Sequence, residues 1–554
     1  PRVRFADPAK RPGVIERLRQ EAAAKEQMKA DGRLGVTGFG GIAMPTAADL
    51  ARDPVKFEER LNLAARMCTL ATGKGLDLAM LRMHMDIIGL ELDGGTGEIE
   101  NTRGDSVSVL DGVPEWFIGP LLVDLVAHEV GHTLGLRHNF KGSSIYTLAQ
   151  VNSPDVKGKK SFSGSVMDYV PVNINVPDAK KLEEYLKQQK TDDTKDSKKD
   201  EGKADEKKAD DKKPATKSGS SPLGPEKPQE LGDYAQVDNG PYDYWAIEYG
   251  YPLDDPKKVL ERVNDPELVY ATDWDLSGPD PLVRQYDFTS NPADYANNLM
   301  ELARYHRSRL LDRFVKDGDS WARARRGYSM TMIMQARGAN IMAKLIGGAD
   351  LSYSKKGDPN GRDPIIPTSG EKQREAVKWI TDNIFQDNAW GLTPEMLTKF
   401  TTDRWGDQGG MSELMQDPSF PVHDRVAALQ IAALVQIMNP TTIRRVYDNE
   451  LRVPATTDTL TIPELLDSVT KGIWSEIDKA PGQQFTARQP MISSLRRNLQ
   501  REHLELLSFL TNSGVLLGEA SKPITNLSLA QLRSIQDKIK GIVESTSAAG
   551  RLDP

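Results

Sequence analysis

Residues Val126–Phe140 read VAHEVGHTLGLRHNF and contain three of the seven histidines of this 554-residue chain. The three histidines, at positions 128, 132 and 138, fall within eleven consecutive residues. A chance cluster of this density is improbable in so long a chain. The stretch therefore indicates a site whose chemistry needs imidazole.

The segment from Ile118 to Gly135 is predicted to form one helix that carries two of these histidines. Pro120 suits its first turn, where the missing N–H costs no hydrogen bond, and Gly135 suits the residue that ends it. At about 100° per residue, His128 and His132 share one face of this helix. The opposite face carries the apolar residues Val123, Val126, Val130 and Leu134.

The spacing of the histidines predicts a zinc site. Imidazoles at positions i and i+4 lie about one turn apart, so His128 and His132 can bind one zinc ion, and Glu129 can serve as general base for a metal-activated water. Gly135 can adopt a positive φ and turn the chain, so that His138 returns as third ligand. The pattern HExxHxxGxxH fixes five positions at set spacing and is a strong signal.

The chain resembles the metzincin zinc endopeptidases, whose signature is this pattern followed by a Met-turn. The sequence SGSVMDY, at positions 163–169, matches the second half of that signature. The resemblance implies that Met167 forms a tight turn beneath the zinc without binding it. It also implies that Tyr169 approaches the zinc and stabilises the oxyanion of the reaction.

The wider context resembles a subgroup of large bacterial Met-zincin proteases that carry a helical region after the catalytic domain. The stretches that resemble it, all within residues 116–251, are HTLGLRHNFKGSS, SVMDYVPVNI and GPYDYWAIEYGY. The implied fold class is α+β and helix-rich, with a metzincin-like catalytic domain before a mostly α-helical domain. The resemblance also implies strands ahead of the active-site helix, including the edge strand that pairs with substrate. Only DSVSVLDG, at 105–112, is predicted to be a short strand, which leaves open whether this chain has the full sheet.

Composition predicts four regions and one charged insertion. Residues 1–115 are the N-terminal part of the catalytic domain, 116–260 its zinc-binding core, 261–370 a connecting region and 371–554 a helical domain. The insertion covers about 179–230, and between Thr191 and Lys213 it has 8 Lys, 9 Asp plus Glu and no aromatic residue. Such a segment buries too little apolar area to offset the entropy of ordering, so we expect a disordered loop; a binding tail is the alternative.

Helix signals occur at both ends of the chain. Residues 12–32 and 53–73 have helical composition and are predicted to end at glycine. TIPE at 461–464 predicts a capping box with Pro463 in the first turn. Apolar residues at helical spacing predict further helices around Val377, Ile380 and Ile384 and around Leu532, Ile535, Ile539 and Ile542.

Bulk properties exclude several classes of protein. A net charge of −8 and a pI near 5.6 argue against nucleic acid as a main partner, and no apolar run approaches the roughly 18 residues that predict a transmembrane segment. The single cysteine, Cys68, excludes an intrachain disulfide and a cysteine-based metal site, and is interpreted as a small buried hydrophobe. The chain begins at Pro1 without a signal pattern, so it is interpreted as a fragment or processed form. The resemblance implies an extracytoplasmic location, periplasmic or secreted.

Other polar and aromatic residues near the motif have two interpretations each. Asp124 is interpreted as an N-terminal-turn acid favoured by the helix dipole, with a partner that orients an imidazole as the alternative. The cluster Tyr242, Tyr244, Trp245, Tyr249 and Tyr251 is interpreted as core packing, with a substrate pocket as the alternative. The remaining histidines, which lack ligand spacing, are interpreted as surface or satisfied core residues: His84, His306, His423 and His503.

These patterns together predict a zinc endopeptidase acting on peptides or proteins. Glu129 and Tyr169 are its predicted catalytic residues, His128, His132 and His138 its zinc ligands, and Met167 its structural turn. The main alternative is a catalytically silent, metzincin-like binding or structural protein with a structural zinc. Hydrolysis of a non-peptide amide would use the same residues. The motifs fix neither the substrate nor the oligomeric state.

Overall fold

The structure is a computed structural model that describes about two thirds of the chain. The described residues are 70–89, 99–100, 106–107, 109–110, 113–177, 234–236, 238–252, 255–403, 417–478, 485–486, 488–512 and 521–546. The predicted insertion, the helix predicted at 12–32 and Cys68 lie outside these ranges.

Helices form most of the described structure. In chain order they are α1 (Leu70–Ile88), α2 (Glu115–Thr133), α3 (Leu148–Val151), α4 (Pro241–Gly250), α5 (Pro256–Leu260), α6 (Pro292–Arg307), α7 (Ala322–Ala343), α8 (Gly370–Ile380), α9 (Pro394–Lys399), α10 (Val422–Met438), α11 (Pro440–Arg452), α12 (Ile462–Ile473), α13 (Ser494–Asn512) and α14 (Ser521–Thr546). Short 3₁₀ turns include Gly142–Ile145, Pro266–Leu268, Asp273–Ser277 and Asp387–Trp390, and π turns occupy Leu310–Phe314 and Thr381–Phe385.

Three short antiparallel hairpins make up the described β-structure. Their strands are β1 (Ile99–Glu100) with β2 (Ser106–Val107), β3 (Val109–Leu110) with β4 (Val113–Pro114), and β5 (Ala349–Leu351) with β6 (Ile365–Pro367). Ile99 is opposite Val107, Leu110 opposite Val113, and Asp350 opposite Ile366. The single strand predicted at 105–112 therefore contributes to two hairpins. The helix-rich α+β class is the coarse feature that the sequence predicted correctly.

The chain divides into two compact units. The metal-site unit comprises Gly73–Trp379 and Asn388–Phe420, and the helical unit comprises Pro1–Thr72, Ile380–Asp387 and Pro421–Pro554. The domain boundaries predicted from the sequence stay predictions.

The core of the metal-site unit includes the contact between α6 and α7. Arg307 of α6 is buried at this contact, where its guanidinium donates to Thr331 and Gln335 of α7 and to the carbonyl of Ala389. Burial lowers the pKa of Arg307 to about 10. Two glycines of α7 permit close approach of other elements: a Cβ at Gly338 would overlap the Trp379 ring of α8, and one at Gly327 would overlap Phe314 of the π turn.

The helical unit is held by α10, α12, α13 and α14. Thr461 caps α12 by accepting a hydrogen bond from the Glu464 amide, and the proline follows in the first turn as the TIPE motif predicts. Arg496 of α13 is buried and donates to the Phe385, Gly472 and Ile473 carbonyls while pairing with Glu476. The helices predicted around Ile380 and Ile535 are both present.

A glycine in α1 corrects one helix boundary. Residues 53–69 of the helix predicted at 53–73 lie outside the described residues. The predicted end at Gly73 is wrong, because α1 begins at Leu70 and runs through Gly73 to Ile88. A Cβ at position 73 would overlap the Tyr286 ring. The glycine therefore serves close packing and does not end the helix.

The helix α2, which carries His128 and His132, differs from its prediction at its start. It begins at Glu115, so Pro120 lies in its second turn and not in its first. Because proline lacks an N–H, that position forgoes one intrahelical hydrogen bond. The C-terminal prediction is correct: α2 ends at Thr133, and Gly135 adopts φ +90° two residues later.

The burial of the two faces of α2 is the opposite of what their hydrophobicity predicts. The histidine face is turned inward, with His128 fully buried. The apolar face is exposed: 60% for Val123, 58% for Val126, 48% for Val130 and 42% for Leu134. The rotation of this helix therefore buries the face that carries His128 and leaves its apolar face exposed.

One helical stretch among the described residues, Val422–Arg452, is long and apolar enough to cross a membrane by length and composition. More than half of its most apolar window is buried inside the structure. A buried core helix passes the same test, so this stretch is weak support for a membrane segment.

Candidate metal centre

His128 and His132 project from the inward face of α2, one turn apart. The ring centroids are 4.7 Å apart and nearly perpendicular. Nδ1 of His128 lies 2.7 Å from the carbonyl oxygen of Val166, and Nδ1 of His132 lies 3.0 Å from that of Leu136. Each imidazole is thus held by a backbone acceptor on the side of the ring opposite Nε2.

The turn after α2 brings the third histidine to the first two. The Gly135 amide donates to the His132 carbonyl and the Leu136 amide donates to that of Gly131, which closes the helix end. The positive φ of Gly135, which a side chain would strain, directs the chain back towards the helix. His138 then lies with Nε2 3.2 Å from Nε2 of His132.

Nδ1 of His138 has a partner from a distant part of the sequence. It lies 2.7 Å from Oδ1 of Asp273, the first residue of the 3₁₀ turn Asp273–Ser277. All three Nδ1 atoms therefore face acceptors, which favours the Nδ1–H tautomer on each ring. In that tautomer the Nε2 atom of each ring carries a lone pair that can bind a metal ion.

The three lone pairs fit a zinc ion. One ligand atom from each of His128, His132 and His138 lies within 4.8 Å of the others. Nε2 of His128 is buried with no hydrogen-bond partner among the described residues, and burying an unpaired nitrogen is costly. Tetrahedral zinc–nitrogen bonds of about 2.0–2.1 Å place ligand atoms about 3.3 Å apart, close to the separation between His132 and His138.

Glu129 lies on the exposed side of the same helical turn. In the described part of the chain its carboxylate has no hydrogen bond or ion pair. The predicted general base is therefore open to solvent next to two of the imidazoles.

Met167 lies under α2 between the two helical histidines. It is fully buried, and its sulfur lies so close to Gly131 that a Cβ there would overlap it. Gly131, the glycine within HEVGH, is thus the residue of α2 that contacts the methionine of the Met-turn.

Asp243, on α4, fixes the turn that carries Met167. Its Oδ1 accepts from the Ser165 hydroxyl at 2.5 Å, and its Oδ2 accepts from the Val166 and Gly240 amides at 2.8 Å. Burial raises the pKa of Asp243, and these hydrogen bonds oppose that rise. Since the Val166 carbonyl holds His128, the carboxylate of Asp243 supports that ligand through the turn.

Tyr169 brings its hydroxyl to the centre of the site. The side chain is fully buried, and its oxygen lies 3.1 Å from Nε2 of His138. Its amide donates to Asp168, whose pKa is raised well above its usual range by burial and by nearby Asp287. The hydroxyl thus lies beside one nitrogen of the triad, and its predicted role in stabilising the oxyanion stays a prediction.

Asp124 fills neither of its predicted roles. It lies in the middle of α2, not in the first turn, because the helix begins at Glu115. Its buried carboxylate pairs with Lys74 of α1, whose ammonium also donates to the Val170 carbonyl. Burial raises the pKa of Asp124, and the Lys74 charge opposes that rise. Asp124 therefore ties α1 to α2.

The aromatic cluster of α4 is mainly a surface feature, so the core-packing interpretation is wrong for most of it. Tyr244, Tyr249 and Tyr251 are 58%, 44% and 58% exposed. Tyr242 stacks on Tyr270, and the Tyr251 hydroxyl donates to the Leu134 carbonyl at the end of α2.

The other histidines lie outside this triad. His423 is bonded to Ser494, and buried His503 accepts from the Trp474 indole. His84 and His306 are buried, and Nδ1 of His84 lies 2.9 Å from Nε2 of His306. The second ring nitrogen of His84, His306 and His503 has no hydrogen-bond partner among the described residues. The prediction is therefore correct for exposed His423 and only half correct for these three buried histidines.

Sequence reasoning missed Asp273 and Asp243 as members of the site. Asp273 is 135 residues from its imidazole, and no spacing rule links them. Asp243 has a local signal: it is the third residue of α4, after Pro241 in GPYDYW, where an acid that bonds to free amides is favoured.

Comparison with known families assigns the chain. The model of the Met-zincin family matches residues 111–189 and 224–481, more than half of the chain, and both segments carry parts of the site. The unmatched interval between them lies within the charged insertion predicted from composition. No curated protein and no solved structure matches the sequence significantly. With its histidine triad and Met-turn methionine in place, the chain belongs to the Met-zincin family.

Proposed function

We propose that this protein is a zinc-dependent endopeptidase that hydrolyses peptide bonds with Glu129 as general base. The observation that carries the proposal is the convergence of three imidazole Nε2 atoms, each with its Nδ1 held by an acceptor, beside an exposed glutamate. Membership of the Met-zincin family supports a metalloprotease in general terms.

His128, His132 and His138 would hold the zinc, which supplies Lewis-acid chemistry that polarises a carbonyl and activates water at neutral pH. Glu129 takes the proton of the attacking water and passes it to the amine that leaves. Its exposure and its lack of a partner in the described structure support this role, because a carboxylate already committed to an ion pair is a poorer base.

Tyr169 donates a hydrogen bond to the oxygen of the peptide carbonyl as negative charge develops on it. Its hydroxyl must leave Nε2 of His138 to do so, since that nitrogen would then bind zinc. The buried ring, packed edge-on against Phe140 and His138, restricts the hydroxyl to this side of the site. A hydrogen-bond donor held this close to the reacting oxygen stabilises the oxyanion after only a small movement of the hydroxyl.

The proposed substrates are peptides or unfolded proteins, and the proposed location is outside the cytoplasm. The exposure of Glu129 supports access of a substrate to this residue from solvent. The location rests on family resemblance, and fractionation of the producing cells would test it.

Metal content and cleavage test the proposal together. Purified protein is assayed by inductively coupled plasma mass spectrometry and then incubated with casein, with and without a chelator. We expect one zinc per chain and cleavage that the chelator abolishes and added zinc restores. One zinc without cleavage would contradict the endopeptidase and favour the binding protein with a structural zinc.

A further inference from the structure

Asp273 is held by contacts to both of its carboxylate oxygens. Oδ1 accepts from Nδ1 of His138 at 2.7 Å, with both side chains largely buried. Oδ2 accepts from the Thr272 hydroxyl at 3.2 Å and lies 3.9 Å from the guanidinium of Arg137. The orientation of the carboxylate is therefore set independently of the metal.

The backbone that carries Asp273 is bonded to the backbone that follows His138. The Phe140 amide donates to the Ala271 carbonyl at 2.8 Å, and the Asn139 side chain donates to the Val269 carbonyl at 2.9 Å. The Asn139 side-chain oxygen in turn accepts from the Ala271 amide at 3.2 Å. Asn139 and Phe140 are fully buried, so these bonds are shielded from water. The two segments form one rigid support.

The residues beside this pair also meet each other. The guanidinium of Arg137 lies 3.8 Å from the ring centroid of Trp274, in a cation–π contact. Arg137 precedes the ligand and Trp274 follows its acceptor. The residues next to His138 and Asp273 in the sequence thus contact each other as well.

His138 differs from the other two ligands in the charge of its partner. His128 and His132 face neutral carbonyls, whereas His138 faces a carboxylate. A charge-assisted hydrogen bond is stronger than a neutral one, and an anionic partner makes the imidazole a better donor to a cation.

We propose that Asp273 is the positioning residue of the metal centre, which fixes the tautomer and orientation of His138 and thereby sets the zinc affinity. The proposal rests on the zinc site of the proposed function but not on protease activity. It assigns a role to a residue that the zinc-binding motif does not contain.

Zinc affinity of D273N tests this role. Competition with a chromophoric zinc chelator should show binding weakened by about 10- to 100-fold, the usual cost of losing such a partner. D275N is the matched control: Asp275 lies in the same turn but bonds to the Thr272 amide and the Tyr353 hydroxyl. Its affinity should stay within about twofold of wild type. Circular dichroism and melting of the zinc-free proteins check that both variants fold.

A double-mutant cycle separates positioning from a general structural role. In an H138A background, adding D273N should change zinc affinity by less than twofold, because the imidazole it positions is gone. The visible spectrum of the cobalt-substituted protein should shift in D273N and not in D275N.

Two results would overturn the inference: D273N binding zinc like wild type, or an equal loss in the H138A background. If wild type itself binds no zinc, the proposed function fails. If wild type and D273N both bind zinc with the same affinity, only the proposed role of Asp273 fails.

Discussion

The sulfur of Met167 lies against the α-carbon of Gly131, in the turn of α2 between the two helical histidines. The contact leaves no room for a methyl group at position 131. A side chain there would push the Met-turn away from the helix, and with it the Val166 carbonyl that holds His128.

Replacing Gly131 by alanine should therefore destabilise the protein despite the higher helix propensity of alanine. Overpacking a buried contact costs about 1–3 kcal/mol, measured as the change in unfolding free energy by chemical denaturation. Gly75→Ala is the control, because Gly75 lies in helix α1 with open space around it. It should be neutral or stabilising, by up to about 1 kcal/mol. Equal effects of the two substitutions would argue against the contact.

Replacing Tyr169 by phenylalanine should lower kcat by about 10²-fold and leave one zinc per chain bound. The hydroxyl is the only group removed, and loss of one oxyanion donor has this order of effect. Steady-state cleavage of a fluorogenic peptide, with metal analysis of the same sample, measures both quantities. A variant with unchanged kcat would assign Tyr169 to packing alone.

Zinc should raise the thermal stability of the protein. Without metal, Nε2 of His128 is buried with no hydrogen-bond partner in the described part of the chain. Zinc that binds only the folded state adds about 4 kcal/mol at concentrations about 1,000 times Kd. Scanning calorimetry with zinc or with chelator measures the difference. A melting temperature that is independent of zinc would contradict a preformed site.

Acid should destabilise the metal-site unit through the buried pair His84 and His306. Burial lowers the pKa of His84 to about 4 and lowers that of His306 well below its usual range, with the His84 charge adding to the effect. The unfolded chain binds these protons near pH 6.5 and the folded chain does not. The contribution of this pair to the free energy of unfolding should therefore not change with pH above 6.5 and should become increasingly destabilising as the pH drops from 6.5 towards 4.

The shift of His84 alone corresponds to about 3 kcal/mol over that window. Denaturation of chelator-treated protein at pH 7, 6 and 5 measures the slope, which should decrease in His84→Gln. His423→Gln is the control, because His423 is bonded to a serine at the surface. Parallel pH profiles for wild type and His84→Gln would refute the assignment.

The sequence predicted the metal site better than the fold around it. Histidine spacing on a helix and the positive φ of Gly135 follow from local geometry, so these features could be read from fifteen residues. The rotation of α2 could not, because its apolar face is the exposed one. Asp273 could not be predicted either, since tertiary structure alone brings it to His138.

Glycines were the least predictable residues. Gly135 ends a helix, as expected, but Gly73 and Gly131 lie inside helices because Tyr286 and Met167 pack against them. The sequence alone does not distinguish a glycine that is needed for close packing from one that ends a helix. Only the packing partner distinguishes them, and it lies far along the chain.

Peptide cleavage by wild type and by Glu129→Gln, each loaded with one zinc per chain, tests directly whether Glu129 is the general base. The substitution keeps the size of the side chain and removes the base, so we predict equal zinc content and a kcat lower by about 10²- to 10⁴-fold. Glu261→Gln, at an exposed glutamate of the same unit, should cleave like wild type. A Glu129→Gln protein that binds zinc and cleaves as fast as wild type would contradict the account.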